Sequence, residues 1–366
     1  MRPTHPVDPI SPTVIVTCTS TSPPIDMVKL SPATSEPYRS AGRSLRHLTP
    51  IDDACVMAAL PNDHLVSKGW QRNFANDRQR VAVADVSTCQ IVDRARPIKK
   101  NFAEPGFMTH TDSSGATLRD ADDVFRKIER RVLNKVREIN VTCRITDDHR
   151  EAVVQLFTIH LVRSQGFRDS QFALLDQLEP QVLRDYPTDP RVYDAFMRRF
   201  DRPPLPGEVE ANIARWMAAQ RAGDVVFDNI DHSIQTIGNV LRRWHVQVIE
   251  SEPSHPGFVL GDVPVIHARL TTRQFGFRDG LAVGDADIIM APISRRVMVC
   301  FAVEPREAMT LSTKRSVRTI NALMIHGARQ EVACHPDDGA DLQRACRSVY
   351  DDLPQGPELI VRARPR

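Results

Sequence analysis

The sequence predicts an α+β protein: a helical middle layer packed on a mostly antiparallel sheet, behind a disordered N-terminal tail. Three observations carry this. Apolar residues recur at spacings of three and four through 118–244, short apolar runs bounded by turn residues follow through 245–303, and Pro, Ser and Thr dominate 1–45. Helices first and strands later, instead of strict alternation, is the pattern of α+β folds. At 366 residues with 41% hydrophobic and 26% charged, the chain is ordinary globular material. It is read as one α+β domain over 46–366.

The tail cannot bury enough apolar surface to offset the entropy of ordering it. The first expected strand is Val81–Val86, which alternates apolar and small residues, and Ile91-Val92-Asp93 is its hairpin partner across a Ser87-Thr88 turn. From Leu118 the period changes. Phe125, Ile128, Val132, Val136 and Ile139 form one helical stripe with Asp120 or Asp122 as its cap, and Glu129 falls inside that stripe. A second helix follows the capping residue Thr146. Its apolar residues, from Val153 to Val162, point in almost every direction, so it should be the buried centre of the helical layer, with His160 and Arg163 riding on it.

Helices are expected next at Arg191–Phe200, Glu208–Ala222 and Asn229–Trp244, broken by Pro203-Pro204-Leu205-Pro206 and by Gly223. Strands follow at His245–Ile249, Phe258–Leu260, Asp287–Met290 and Val297–Val303. Asp279-Gly280 marks a turn and Ser294-Arg295-Arg296 is a hairpin-length link. A closing helix over 313–332 presents Val317, Ile320, Leu323, Met324 and Ala328, with Gly327 on the same side permitting close packing on the sheet.

The 48 basic and 46 acidic residues leave a net charge of +2, which is no field for nucleic acid or an anionic membrane. Seven dispersed cysteines without a C-x-x-C pair read as reduced thiols of a cytoplasmic protein. No apolar run approaches the roughly 18 residues of a membrane helix, and no secretory leader is recognisable at Met1. Partner proteins, cofactors and metals are not named by any motif. Dinucleotide and phosphate loops, the serine-nucleophile elbow, zinc motifs and calcium loops are all missing. The acidic pairs, such as Asp122-Asp123 and Asp147-Asp148, read as helix-start and loop residues.

Several segments, taken in order, resemble a bacterial family called domain of unknown function 4238. Its opening His-x-Val-Pro-Gln-x-Tyr-Leu-x-x-Phe motif is similar to His64-Leu65-Val66-Ser67-Lys68-Gly69-Trp70-Gln71-Arg72-Asn73-Phe74, with Ser67 and Lys68 in place of Pro and Gln. Ala84-Asp85, Arg96-Pro97-Ile98-Lys99 and Glu104-Pro105-Gly106-Phe107 follow in family order, then Ile128-Glu129 and the helix from Phe157 to Arg163. Gly261-Asp262-Val263-Pro264-Val265, Pro292-Ile293-Ser294 and Ile320-Asn321 complete a resemblance spanning His64 to Val332. It implies a domain boundary and candidate positions but no reaction.

Two functions compete. One is a hydrolase, nuclease-like or phosphodiesterase-like, with His64 as base, Glu129 and Asp262 as carboxylates able to hold a divalent ion, and Arg163 stabilising a phosphoryl transition state. The other is a non-catalytic binding or regulatory module, in which Glu129 and Arg163 pair inside a buried polar network and Asp262 hydrogen-bonds its own turn. Clustering of the four residues at an open pocket favours the first, and dispersal or burial with satisfied partners the second.

Overall fold

The computed structural model describes residues 62–111, 117–118, 120–224, 230–304 and 309–353. The Pro/Ser/Thr-rich stretch 1–45 lies outside the described residues. The described residues group into two compact units, Val182–Trp216 and the remainder.

The smaller unit is helical, and the proline breaker organises it. Asp189 caps α5 (Pro190–Phe200; α1 to α4 are placed below) by accepting the Arg191 amide at 2.8 Å, and Asp201 ends it in the left-handed region at φ 53°. After Pro203-Pro204-Leu205-Pro206, Arg202 grips Glu208 through two bonds of 2.8 and 2.9 Å at the start of α6 (Glu208–Ala219). That grip holds the Glu208 carboxyl down at about 2.

The larger unit opens with β1 (Asn62–His64) and α1 (Lys68–Gln71), followed by the expected hairpin of β2 (Arg80–Asp85) and β3 (Gln90–Pro97). Asp85 builds the hairpin turn by accepting from the Ser87 and Thr88 hydroxyls and the Thr88 amide. Next come β4 (Ala103–Pro105), β5 (His110–Thr111) and β6 (Thr117–Leu118). The two long helices are α2 (Asp120–Thr142) and α3 (Asp147–Val162). Phe125, Val132, Val136 and Ile139 of α2 are buried as the stripe requires, and α3 is buried from Val153 to Val162 except at Gln155. Thr146 caps α3 with a reciprocal capping box, in which His149 plays the part usually taken by Glu or Gln.

Helix α4 (Gln165–Asp185) has no counterpart in the sequence reading. It buries little beyond Phe167, Leu175 and Val182 and contains Pro180, so it lacks a full apolar stripe. Helix α7 (Ile230–Arg243) then leads into the main sheet. Its strands are β7 (His245–Ser251), β9 (Ile266–Arg269), β10 (Gln274–Phe275), β11 (Ile288–Pro292), β12 (Val297–Ala302) and β13 (Met309–Ser312). Their order is β10-β9-β11-β12-β7-β13, antiparallel except for β13 beside β7. The Ser294 hydroxyl accepts the Arg296 and Val297 amides and shapes the expected hairpin link.

A four-stranded antiparallel sheet, β3-β2-β14-β8, adds β8 (Leu260–Gly261) and β14 (Glu331–Cys334). Here the expected closing helix needs correction. Helix α8 (Lys314–Gly327) stops at Gly327, and Val332 lies in β14. The chain turns because Ala328 is extended (ψ 146°) and the Asp262 carboxylate captures the next three amides. Gly327 does pack closely, since a Cβ there would overlap the tip of Ile266. The unit closes with α9 (Gly339–Arg347) and α10 (Val349–Asp352).

Two buried clusters divide the larger unit into layers. One joins α2, α3 and α7 to Val299, Phe301 and Ile289 of the main sheet; the other joins α8 and α9 to the alternate residues Met298, Cys300 and Ile288. The main sheet is therefore covered on both faces, which is why β11 and β12 are buried throughout. Phe258–Leu260, expected as a strand, is paired only from Leu260, because the Asn321 side chain takes over the preceding backbone. It accepts the Val259 amide at 3.1 Å and donates to the Gly257 carbonyl at 3.0 Å. Replacing Asn321 by Ala strands both groups and is expected to lower stability by about 1–3 kcal/mol in denaturant unfolding.

Candidate functional site

The segment after Asn62 is pinned from several sides. β1 pairs β4 with His64 opposite Ala103, and the Leu65 amide donates to the Phe102 carbonyl at 2.8 Å. Ser67 caps α1 and so fixes Trp70, whose indole donates to the Pro292 carbonyl at 2.8 Å. Asn73 donates to Ile293 at 2.9 Å. The first and the late family-like motifs therefore dock on one another, with Trp70 fully buried between them.

Beneath this segment lies a charged cluster. Arg163 follows the last residue of α3, where a cation suits the helix C-terminus. Its guanidinium meets Glu129 at 2.7 Å and Asp122 at 3.5 Å, with its Cζ 5.0 Å from the centre of the Phe125 ring. His160, one turn earlier, sits 3.6 Å from Glu129 and edge-on to Trp70 at 4.7 Å. Arg126 holds the far side of Asp122 at 3.2 Å. Glu129 is 9% exposed, Arg163 4% and His160 1%. Asp122 is the member the sequence reading assigned to helix capping. The usable signal was its position seven residues before Glu129, on the same helical face.

Burial pushes the Glu129 carboxyl up, against the pull of Arg163. The His160 imidazole is driven well down by burial and then by Arg163, so it is neutral. His64 is half-buried and contacts the Lys99 carbonyl at 3.2 Å; burial first, then Lys68 and Arg163, lower its pKa. Of the four sequence candidates, Glu129 and Arg163 are in contact and His64 lies within the electrostatic reach of Arg163. Asp262 is not part of this arrangement. Its carboxylate accepts the Arg329, Gln330 and Glu331 amides at 2.8, 2.8 and 3.2 Å, the turn-building role. Burial raises its pKa against those bonds. Among the described residues no group of three or more His, Cys, Asp or Glu side chains is placed to hold a metal ion.

A cleft of about 580 Å³ opens elsewhere in the larger unit, and none of the four candidates lines it. Its walls are the start of α4, the region from Val263 to Arg278, and Gly327 to Arg329. His267, 1% exposed, lines it and donates from Nε2 to the Leu281 carbonyl at 2.9 Å. Burial pushes its pKa down to about 4. Between the unfolded value near 6.5 and that folded value, the unfolded chain takes up a proton that the native chain refuses. Stability is therefore full above about pH 6.5 and falls as pH drops toward 4, by roughly 3 kcal/mol from this residue, with His160 acting in the same direction. In denaturant unfolding from pH 7 to 4, the stability of His267→Gln is expected to fall less steeply than that of the wild type.

No curated protein and no solved structure matches this chain. One family model does match, over residues 62–338, described as a protein of unknown function, DUF4238. That span runs from β1 to the turn before α9 and takes in the charged cluster, the Asp262 turn and the Asn321 clamp. By that match the chain belongs to the DUF4238 family.

Proposed function

We propose that the protein is a non-catalytic binding or regulatory module whose Glu129–Arg163 network holds the fold. The observation that supports this reading is the 2.7 Å contact between two side chains at 9% and 4% exposure, neither of which lines the cleft. Catalytic groups are expected to face a space that admits substrate. Here the arginine is spent on Glu129 and Asp122, and Asp262 on backbone amides.

A cytoplasmic, bacterial setting goes with this proposal. Free thiols at Cys89, Cys334 and Cys346 support a reducing compartment, and no described helix is long and apolar enough to cross a membrane.

The hydrolase reading is the alternative, and it rests on His64, whose lowered pKa leaves a neutral base beside the cluster. Incubation with bis(p-nitrophenyl) phosphate and p-nitrophenyl acetate, with and without added magnesium or manganese, separates the two. The binding reading expects no turnover above buffer. Turnover abolished by His64→Ala, in a variant that keeps its unfolding midpoint, would replace it with the hydrolase.

A further inference from the structure

The cleft has the build of a ligand site, and nothing in the charged cluster explains it. Its volume of about 580 Å³ is that of a small-molecule pocket. Three glycines line it: Gly166 and Gly327 let the backbone pack closely on Phe277 and Ile266, and Gly276 leaves open space. Gly276 is at φ +75° and has open space around it, so the cleft-side backbone there adopts a conformation that suits glycine. Phe275 and Phe277 supply an aromatic wall, and Phe277 is held in place by Phe167 at 5.8 Å and His267 at 4.5 Å. The buried His267 has no hydrogen-bond partner at Nδ1, although Nε2 is fixed by Leu281.

The rim is cationic at two points. Arg278 is exposed and has no ion-pair or hydrogen-bond partner among the described residues. Arg329, also exposed, has only the Glu104 carboxylate at 4.0 Å opposite its guanidinium. Ser164, also in the lining, caps the start of α4 by accepting the Phe167 amide at 3.1 Å, which brings the positive end of a long helix to the same cleft. Asp169 is the one acidic side chain lining the cleft, and it accepts from Gln165 at 2.6 Å.

We propose that this cleft binds a small organic acid, with its aromatic or branched apolar body against Phe275 and Phe277 and its carboxylate between Arg278 and Arg329. A planar guanidinium matches a carboxylate with two parallel bonds, and an apolar wall beside it discriminates against a bare inorganic anion. The assignment rests on the binding-module reading and names the ligand class for it.

Calorimetric titration of the full chain with benzoate, 3-phenylpropanoate and 4-methylpentanoate tests this, with 3-phenylpropanamide and inorganic phosphate as comparisons. At least one acid is expected to bind with a Kd below about 1 mM, and the amide and phosphate at least ~10-fold more weakly. Arg278→Glu and Ala173→Trp, both on exposed cleft positions, are expected to weaken the acid ~10-fold or more, while the exposed Arg130→Glu leaves it unchanged. Equal binding of acid and amide, equal binding of phosphate, indifference to both cleft variants, or no binding by any acid overturns the assignment. If an acid binds but is chemically consumed during the titration, the cleft stands and the non-catalytic reading falls.

Discussion

Trp70→Ala is expected to lower stability by about 3–5 kcal/mol, with a fall in both thermal midpoint and soluble yield. The indole is fully buried, lies parallel to Phe157 at 6.3 Å and meets His160 at 4.7 Å. Its removal leaves a large cavity and also unpairs the Pro292 carbonyl. Trp70→Phe separates the two effects. It keeps most of the ring but loses the donor, so about 1–3 kcal/mol is expected. A Trp70→Ala protein as stable as the wild type would mean that the segment from His64 to Phe74 is not docked on the Pro292 turn.

Glu129→Ala is expected to cost about 3–5 kcal/mol, because it strands the Arg163 guanidinium at a buried site. Asp122, at 3.5 Å, compensates only in part, since it is already held by Arg126 at 3.2 Å. Arg130→Ala, one residue along on the exposed face, is expected to stay within about 0.5 kcal/mol in the same denaturant series.

The parts of the fold legible in the sequence were those with a strong period or a strong stop. The α2 stripe, the all-round apolar α3, the Thr146 cap and the β2–β3 hairpin each follow from local pattern, and each is where the spacing put it. The ordered family-like motifs also located the stretch that the family model matches. What stayed hidden depended on tertiary partners. Helix α4 buries too few residues to show a period, and the end of α8 is decided by a carboxylate more than sixty residues away in sequence. Asp262 illustrates the difficulty: an aspartate before Val-Pro reads equally as a site carboxylate and as a turn acceptor until its three amides are seen. Glu129 and Arg163 were legible as polar groups on apolar faces, and their contact needed the packing of α2 on α3. The cleft was not legible, because its walls come from three separated segments, one of them α4.

The central claim is that the Glu129–Arg163 network holds the fold and does no chemistry, and a double-mutant cycle in denaturant unfolding tests it most directly. Glu129→Met, Arg163→Met and the double replacement are compared with the wild type. Each single change breaks the 2.7 Å contact and leaves the other charge buried, with Asp122 compensating Arg163 only in part, whereas the double change removes both and leaves Asp122 with Arg126. The account predicts single losses of about 3–5 kcal/mol and a double variant recovered to within about 1–2 kcal/mol of the wild type. Single variants as stable as the wild type, with additive effects in the double, would contradict it.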